Sequence, residues 1–129
     1  MIYLDSSVAL AHLLVEERRP SASLWAEPLI SSRLLEYEVW SRLHAHGLGA
    51  SHGDAARGLL GRLSFLELSP VVLGRALEPF PEPVRTLDAL HLASVDYLRG
   101  RRLNAPLATY DRRMIAVAQA LAIPLFGLP

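Results

Sequence analysis

Met1-Ile2-Tyr3-Leu4-Asp5-Ser6-Ser7-Val8 opens the chain, and the fold turns on how this stretch is read. Ile2-Tyr3-Leu4 is a short apolar run of strand-forming residues. It stops at a single acid. Ser6 or Ser7 can then accept from the first free N–H groups of a helix. Val8, Leu10, Ala11, Leu14 and Val15 recur at helical spacing, which predicts a helix through about Glu17. The stretch therefore reads as a buried strand that passes directly into a helix and delivers Asp5 at its C-terminal end. In an open α/β sheet that edge is where ligands bind.

The same alternation continues outward from this unit. Arg18-Arg19-Pro20 breaks the first helix, a short helix is expected over residues 22–26, and Pro28 to Ser32 reads as a second strand. Arg33 to His46 has the pattern of a helix stopped by Gly47 and Gly49. Ser51 is expected to cap a helix from His52 to Leu63, and Ser64 to Leu68 forms a third strand. Pro70 opens a helix to about Glu78, as proline does at a first turn. Pro79, Pro81 and Pro83 then make a stiff loop. Thr86 is expected to cap a helix from Leu87 to about Arg99, ended by Gly100. Ala105 to Thr109 is the fourth strand, Asp111 caps a helix from Arg112 to about Leu121, and residues 123–126 form a short last strand. Strands alternating with helices predict an α/β fold with a parallel sheet of four to five strands. No repeat, low-complexity tract or internal boundary divides the 129 residues, so one domain over 1–129 is expected.

Composition removes several function classes. Hydrophobic residues make up 51% of the chain and charged residues 20%, the balance of a globular protein rather than a disordered one. No apolar run reaches the ~20 residues of a membrane span. Strand residues begin at Ile2 without a basic leader, so a signal peptide is not expected and a cytoplasmic protein is the simplest reading. With no cysteine, thiol catalysis, disulfides and thiolate zinc sites are excluded. The formal net charge is zero, so any attraction to nucleic acid is local. All thirteen basic residues are arginine, which suits bidentate phosphate contact but also follows from a biased composition.

Four acids stand out. Asp5 and Asp111 each have an ordinary explanation as helix caps, and Asp88 as a charge in a first helical turn. Glu38 does not fit so easily. At about 100° per residue it falls on the apolar arc of its helix, between Leu34 and Leu35. A carboxylate there is costly unless it is paired or binds a metal. Arg42, one turn on, is the ordinary partner. Taken together, Asp5, Asp88 and Asp111 can share one sheet edge. Several unpaired carboxylates at one place repel one another, and a hard divalent cation resolves the repulsion. Oxygen donors without thiolates favour magnesium or manganese. Such ions polarise phosphodiesters and activate water.

These residues resemble a known family, the PIN-domain ribonucleases, and specifically the VapC-type toxins of toxin–antitoxin pairs. The resemblance is carried by Ile2-Tyr3-Leu4-Asp5-Ser6-Ser7, by Ser31-Ser32 leading to Glu38-Val39, by Thr86-Leu87-Asp88-Ala89-Leu90-His91-Leu92-Ala93 and by Ala108-Thr109-Tyr110-Asp111-Arg112-Arg113-Met114. The last two stretches are the more specific, and the match runs in order along essentially the whole chain. It implies a PIN-like, three-layer Rossmann-like fold and an acidic site of Asp5, Glu38, Asp88 and Asp111 holding Mg2+ or Mn2+. It further implies metal-dependent endonucleolytic cleavage of RNA, with Ser6 and Thr109 supporting the acids. A homodimer and neutralisation by a small antitoxin are implied too. DNA is then contacted only indirectly, through the antitoxin, and no membrane is involved.

Other features carry less. Arg112 and Arg113, beside Asp111 at a helix start, are candidates for substrate phosphate contact or for balancing the acids. Arg101-Arg102 reads as solvated surface. His91 shares a helix face with Asp88 and is expected to pack or hydrogen-bond there. His44, His46 and His52 lack a zinc spacing. Asp96 reads as a surface or ion-paired acid. Trp25, Tyr37 and Trp40 fit either a core or a partner surface. Against the ribonuclease reading stands a non-catalytic RNA-binding or scaffold module on the same fold. A phosphoacceptor signalling domain would need a lysine, and this chain has none. Glycine-rich nucleotide motifs are absent as well.

Overall fold

Ile2–Leu4 forms the first strand, β1, and is buried along its whole length. The computed structural model describes all 129 residues, Met1–Pro129. Three further strands follow: β2 (Leu29–Ser32), β3 (Leu63–Leu66) and β4 (Leu107–Ala108). The helices are α1 (Ser6–Leu13), α2 (Ala22–Trp25), α3 (Leu34–Ala45), α4 (Gly49–Leu60), α5 (Pro70–Ala76), α6 (Thr86–Gly100) and α7 (Arg112–Ala120). All strand pairings are parallel and the sheet order is β3-β2-β1-β4.

Side chains on a strand alternate between faces, and β1 uses both. Ile2 and Leu4 enter a core layer shared with α1, α2, α3 and α4. Tyr3 enters a second layer with α6 and α7. The sheet is thus covered on both sides, as a parallel sheet requires. From β1 the chain steps outward through β2 to β3 and then returns to β4 on the other flank of β1. The order reverses between β1 and β4, which opens a crevice at their C-terminal ends. Asp5 follows β1 and Asp111 lies just past β4, so both stand at that crevice.

Several boundaries depart from the sequence pattern for local reasons. α1 ends at Leu13 rather than near Glu17, because Val15 adopts a left-handed conformation with φ 52°. The Glu16 N–H then closes onto the Ala11 carbonyl at 2.9 Å. Asp5, not Ser6 or Ser7, caps α1. Gly47 stops α3 as expected: its φ is 68°, and Leu48 N–H returns to Leu43 O at 2.8 Å. Gly49 instead opens α4, so Ser51 lies inside that helix rather than capping it. Thr86 is likewise inside α6, whose N-cap is Arg85 with no side-chain cap bond. The expected fifth strand shrinks to one bridge between Leu107 and Leu125, in a segment where Pro124 has no N–H to donate. No helix is long and apolar enough to cross a membrane.

Leu4 is fully buried at the end of β1, directly before Asp5. Leu4→Ala is expected to lower the urea unfolding free energy by about 3 kcal/mol. Leu77→Ala, at a position 89% exposed, is expected to stay within about 0.5 kcal/mol of wild type.

Candidate active site

Asp5 is only 3% exposed, and one of its oxygens is firmly held. Oδ2 accepts from Ser7 N–H at 3.3 Å, Ser7 Oγ at 2.6 Å and Thr109 Oγ1 at 2.8 Å. Ser7 Oγ also accepts from Tyr110 N–H at 3.0 Å, and Thr109 Oγ1 from Asp111 N–H at 3.0 Å. The two hydroxyls therefore tie the end of β1 to the end of β4 and set the aim of Asp5. The sequence marked Thr109 as a support but treated Ser7 only as a cap. Hydroxyl spacing near an acid was the one signal available for Ser7.

Glu38 approaches from α3. Its Oε2 accepts from Ser6 Oγ at 3.0 Å, and its Oε1 is bonded by His91 Nε2. His91 has no solvent exposure. Its Nδ1 meets the Tyr3 hydroxyl at 2.8 Å, and that hydroxyl accepts from Ser32 N–H at 3.2 Å. Burial alone pushes the His91 imidazole down. Tyr3, Glu38 and the nearby Asp5 outweigh it and hold the ring well above its usual range. Glu38 thus sits on the apolar arc because a buried imidazole from α6 pairs with it. The helical ion pair with Arg42 does not form.

Asp88 is the acid under most strain. It is half-buried at the start of α6, and its pKa is raised to about 6. Burial is the main cause, followed by the charges of Asp111 and Asp5; Arg85 and His91 oppose it. Its Oδ2 is buried with no hydrogen-bond partner. Asp111 caps α7 as expected, with Oδ1 accepting from Arg113 N–H at 2.9 Å and Met114 N–H at 3.1 Å.

All four acids line one cavity of about 700 Å³, together with Ser6 and Ser7. No three acids or imidazoles are gathered into a ready-made coordination cluster. The donor set still suits a hard cation. Asp88 carries an orphaned buried oxygen, while Asp5 and Asp111 each spend one oxygen on the chain. Arg112 and Arg113 are exposed and line a neighbouring cleft with Glu82 and Pro83, outside the acid cavity. The arginines that do line it are Arg18, Arg42 and Arg85, which the sequence did not single out as site residues. Asp96 is ion-paired with Arg75 at 2.7 Å, as its position implied.

The raised pKa of Asp88 couples stability to pH. Its ionised form is less favoured in the folded state than in the unfolded chain. Stability is therefore full below the ordinary carboxyl range and is lost as pH rises through about 6. In the presence of a chelator at pH 7.5, Asp88→Asn should be more stable than wild type by about 1 kcal/mol. The gain is modest because water screens the open side of the carboxyl. The difference should fade as thermal melts are taken down to pH 4.

Residues 2–120 match the PIN domain family. Ribonuclease VapC46 of Mycobacterium tuberculosis (strain ATCC 25618 / H37Rv) is 38% identical over 130 residues, covering 98% of this chain and 96% of its own. Ribonuclease VapC47 of the same species (strain CDC 1551 / Oshkosh) is 31% identical over 123 residues, 90% of this chain and 88% of its own. Ribonuclease VapC35 from that strain is 29% identical over 129 residues, 95% and 93% respectively. The parallel sheet, the acids at its β1–β4 crevice and these likenesses agree: the chain belongs to the PIN-domain family, among its VapC-type members.

Proposed function

We propose that this protein is a metal-dependent endoribonuclease, the toxin of a toxin–antitoxin pair. It hydrolyses RNA phosphodiester bonds at a site built from Asp5, Glu38, Asp88 and Asp111. The observation that carries the reading is Asp88. A half-buried carboxyl with an orphaned oxygen, destabilised by two neighbouring acids, is an arrangement that a divalent cation relieves. Likeness along the chain to proteins named as ribonucleases supplies the substrate class.

Mg2+ or Mn2+ would be held by the free oxygens of Asp5, Asp88 and Asp111. The chemistry it supplies when bound is polarisation of the phosphodiester and activation of a water. The chain's own residues do the rest. Ser7 and Thr109 fix the plane of Asp5, which lines the cavity, and leave its other oxygen without a bond from the chain. Ser6 and His91 hold Glu38 in the cavity wall, where it acts as the fourth acid. His91 is a positioning residue, buried and removed from substrate.

The protein partners are a small antitoxin and a second copy of the chain. Val71, Leu73 and Leu77 leave apolar surface exposed on and beside α5, which supports docking of a protein there. We place the protein in the cytoplasm, with its RNA.

Purified protein with Mg2+ or Mn2+ should cleave structured RNA internally, and a chelator should abolish the activity. Asp5→Asn should lower the turnover at least about a hundredfold. Equal cleavage by the variant would remove Asp5 from the site. RNA binding without turnover would favour the non-catalytic module.

A further inference from the structure

Beyond the acids, Tyr37 is the exposed aromatic nearest the cavity. Of the three helical aromatics left open by the sequence, Trp25 and Trp40 pack against the core. Tyr37 does not: it is 64% exposed. It stands on α3 one residue before Glu38 and five before Arg42. With Leu10, Ser41, Arg42 and Leu87 it lines a cleft of about 250 Å³. The cleft opens into the acid cavity, since Ser6, Leu10, Glu38, Arg42 and Leu87 border both.

The chemistry of this cleft matches one nucleotide. Leu10 and Leu87 give it apolar walls, and Leu87 is 40% exposed. Tyr37 offers a π-face at the rim, and stacking on such a ring tolerates any base. Arg42 forms no ion pair in the chain, although acids line the same cavity. A strand whose scissile phosphate meets those acids must continue beyond them. Its next phosphate would be repelled by the acidic floor unless a cation receives it, and a guanidinium is suited to that contact.

We propose that Tyr37 and Arg42 form a subsite for the nucleotide flanking the scissile phosphate, with its base stacked on Tyr37 and its phosphate on Arg42. This rests on the ribonuclease reading above and goes further by giving the strand a direction across the site, along α3 and away from α7. It also makes Tyr37 a determinant of which unstacked RNA segments are accepted, because a paired base cannot stack on a protein ring.

The test uses fluorescein-labelled single-stranded oligo(rA) and oligo(rU), each about ten nucleotides long. Binding is read by anisotropy in EDTA, where no cleavage interferes, and cleavage is read separately with Mn2+. Tyr37→Ala should weaken oligo(rA) binding about tenfold, and Tyr37→Phe should stay within twofold of wild type. Arg42→Gln should weaken both oligonucleotides and flatten the salt dependence of binding. An abasic position stepped along the strand should weaken wild type at one register but leave Tyr37→Ala unchanged at that register. Unaltered affinity in Tyr37→Ala overturns the subsite. So does a loss that is equal in the Phe variant, or a change confined to self-association by light scattering. If wild type cleaves while Tyr37 has no influence, only the subsite fails. If wild type neither binds nor cleaves any RNA, the ribonuclease reading fails and the subsite with it.

Discussion

Repulsion among carboxylates at the β1–β4 crevice is the constraint around which this molecule is arranged. Asp5 and Asp111 both raise the pKa of Asp88, so the three feel one another's charge. The fold provides no cation at the centre of that group. Arg18, Arg42 and Arg85 line the cavity, but none of them forms an ion pair with an acid there. A protein selected only for stability would replace one of the three acids with a neutral residue. Retaining them costs stability, and the cost is what makes the crevice read as a functional site.

Glu38 shows the opposite solution to the same problem. Each of its two oxygens takes one hydrogen bond from the chain, from Ser6 and from His91. His91 is in turn held through Tyr3 to the Ser32 N–H. The chain of contacts runs from β2 through β1 and α6 to α3, crossing the sheet from one core layer to the other. It explains why the middle residue of β1 is a tyrosine rather than another aliphatic: a buried hydroxyl is needed at that point to meet the imidazole. It also makes the position of Glu38 depend on three separate elements.

The parts of this arrangement that could be read from sequence were those written in local spacing. The strand–acid–helix unit at Asp5, the cap at Asp111 and the proline-opened helix at Pro70 all follow from neighbours within a few residues. Glu38 was visible as an anomaly because periodicity exposes a carboxylate among leucines. Its partner was not, since His91 lies 53 residues away and is brought in only by the packing of α6 across the sheet. The cavity arginines were missed for a related reason. Their side chains are long and exposed, and which cleft they line depends on how helices pack rather than on their sequence neighbours. Arg112 and Arg113 drew attention by adjacency to Asp111, yet a helical start turns them toward Glu82 and Pro83 instead. Ser51 and Thr86 were plausible caps by residue type, but their helices begin three and one residues earlier than a cap would require.

The choice between helix cap and site acid, posed residue by residue, turns out to be a false one for Asp5 and Asp111. A carboxylate has two oxygens. In both residues one oxygen takes backbone N–H groups at a helix start and thereby fixes the direction of the other. Structural duty is then the means by which the second oxygen is aimed, and it says nothing against a further role. Asp88 differs from them. The first turn of α6 favours its charge through the helix dipole, an effect of about 1 kcal/mol at most on an open surface. Burial and the two neighbouring acids outweigh that, as the direction of its pKa shows. No donor from the chain reaches its buried oxygen. Asp88, which in sequence had as ordinary an explanation as Asp5 and Asp111, is therefore the acid whose presence the fold explains least, and the proposed metal site rests more on Asp88 than on Asp5.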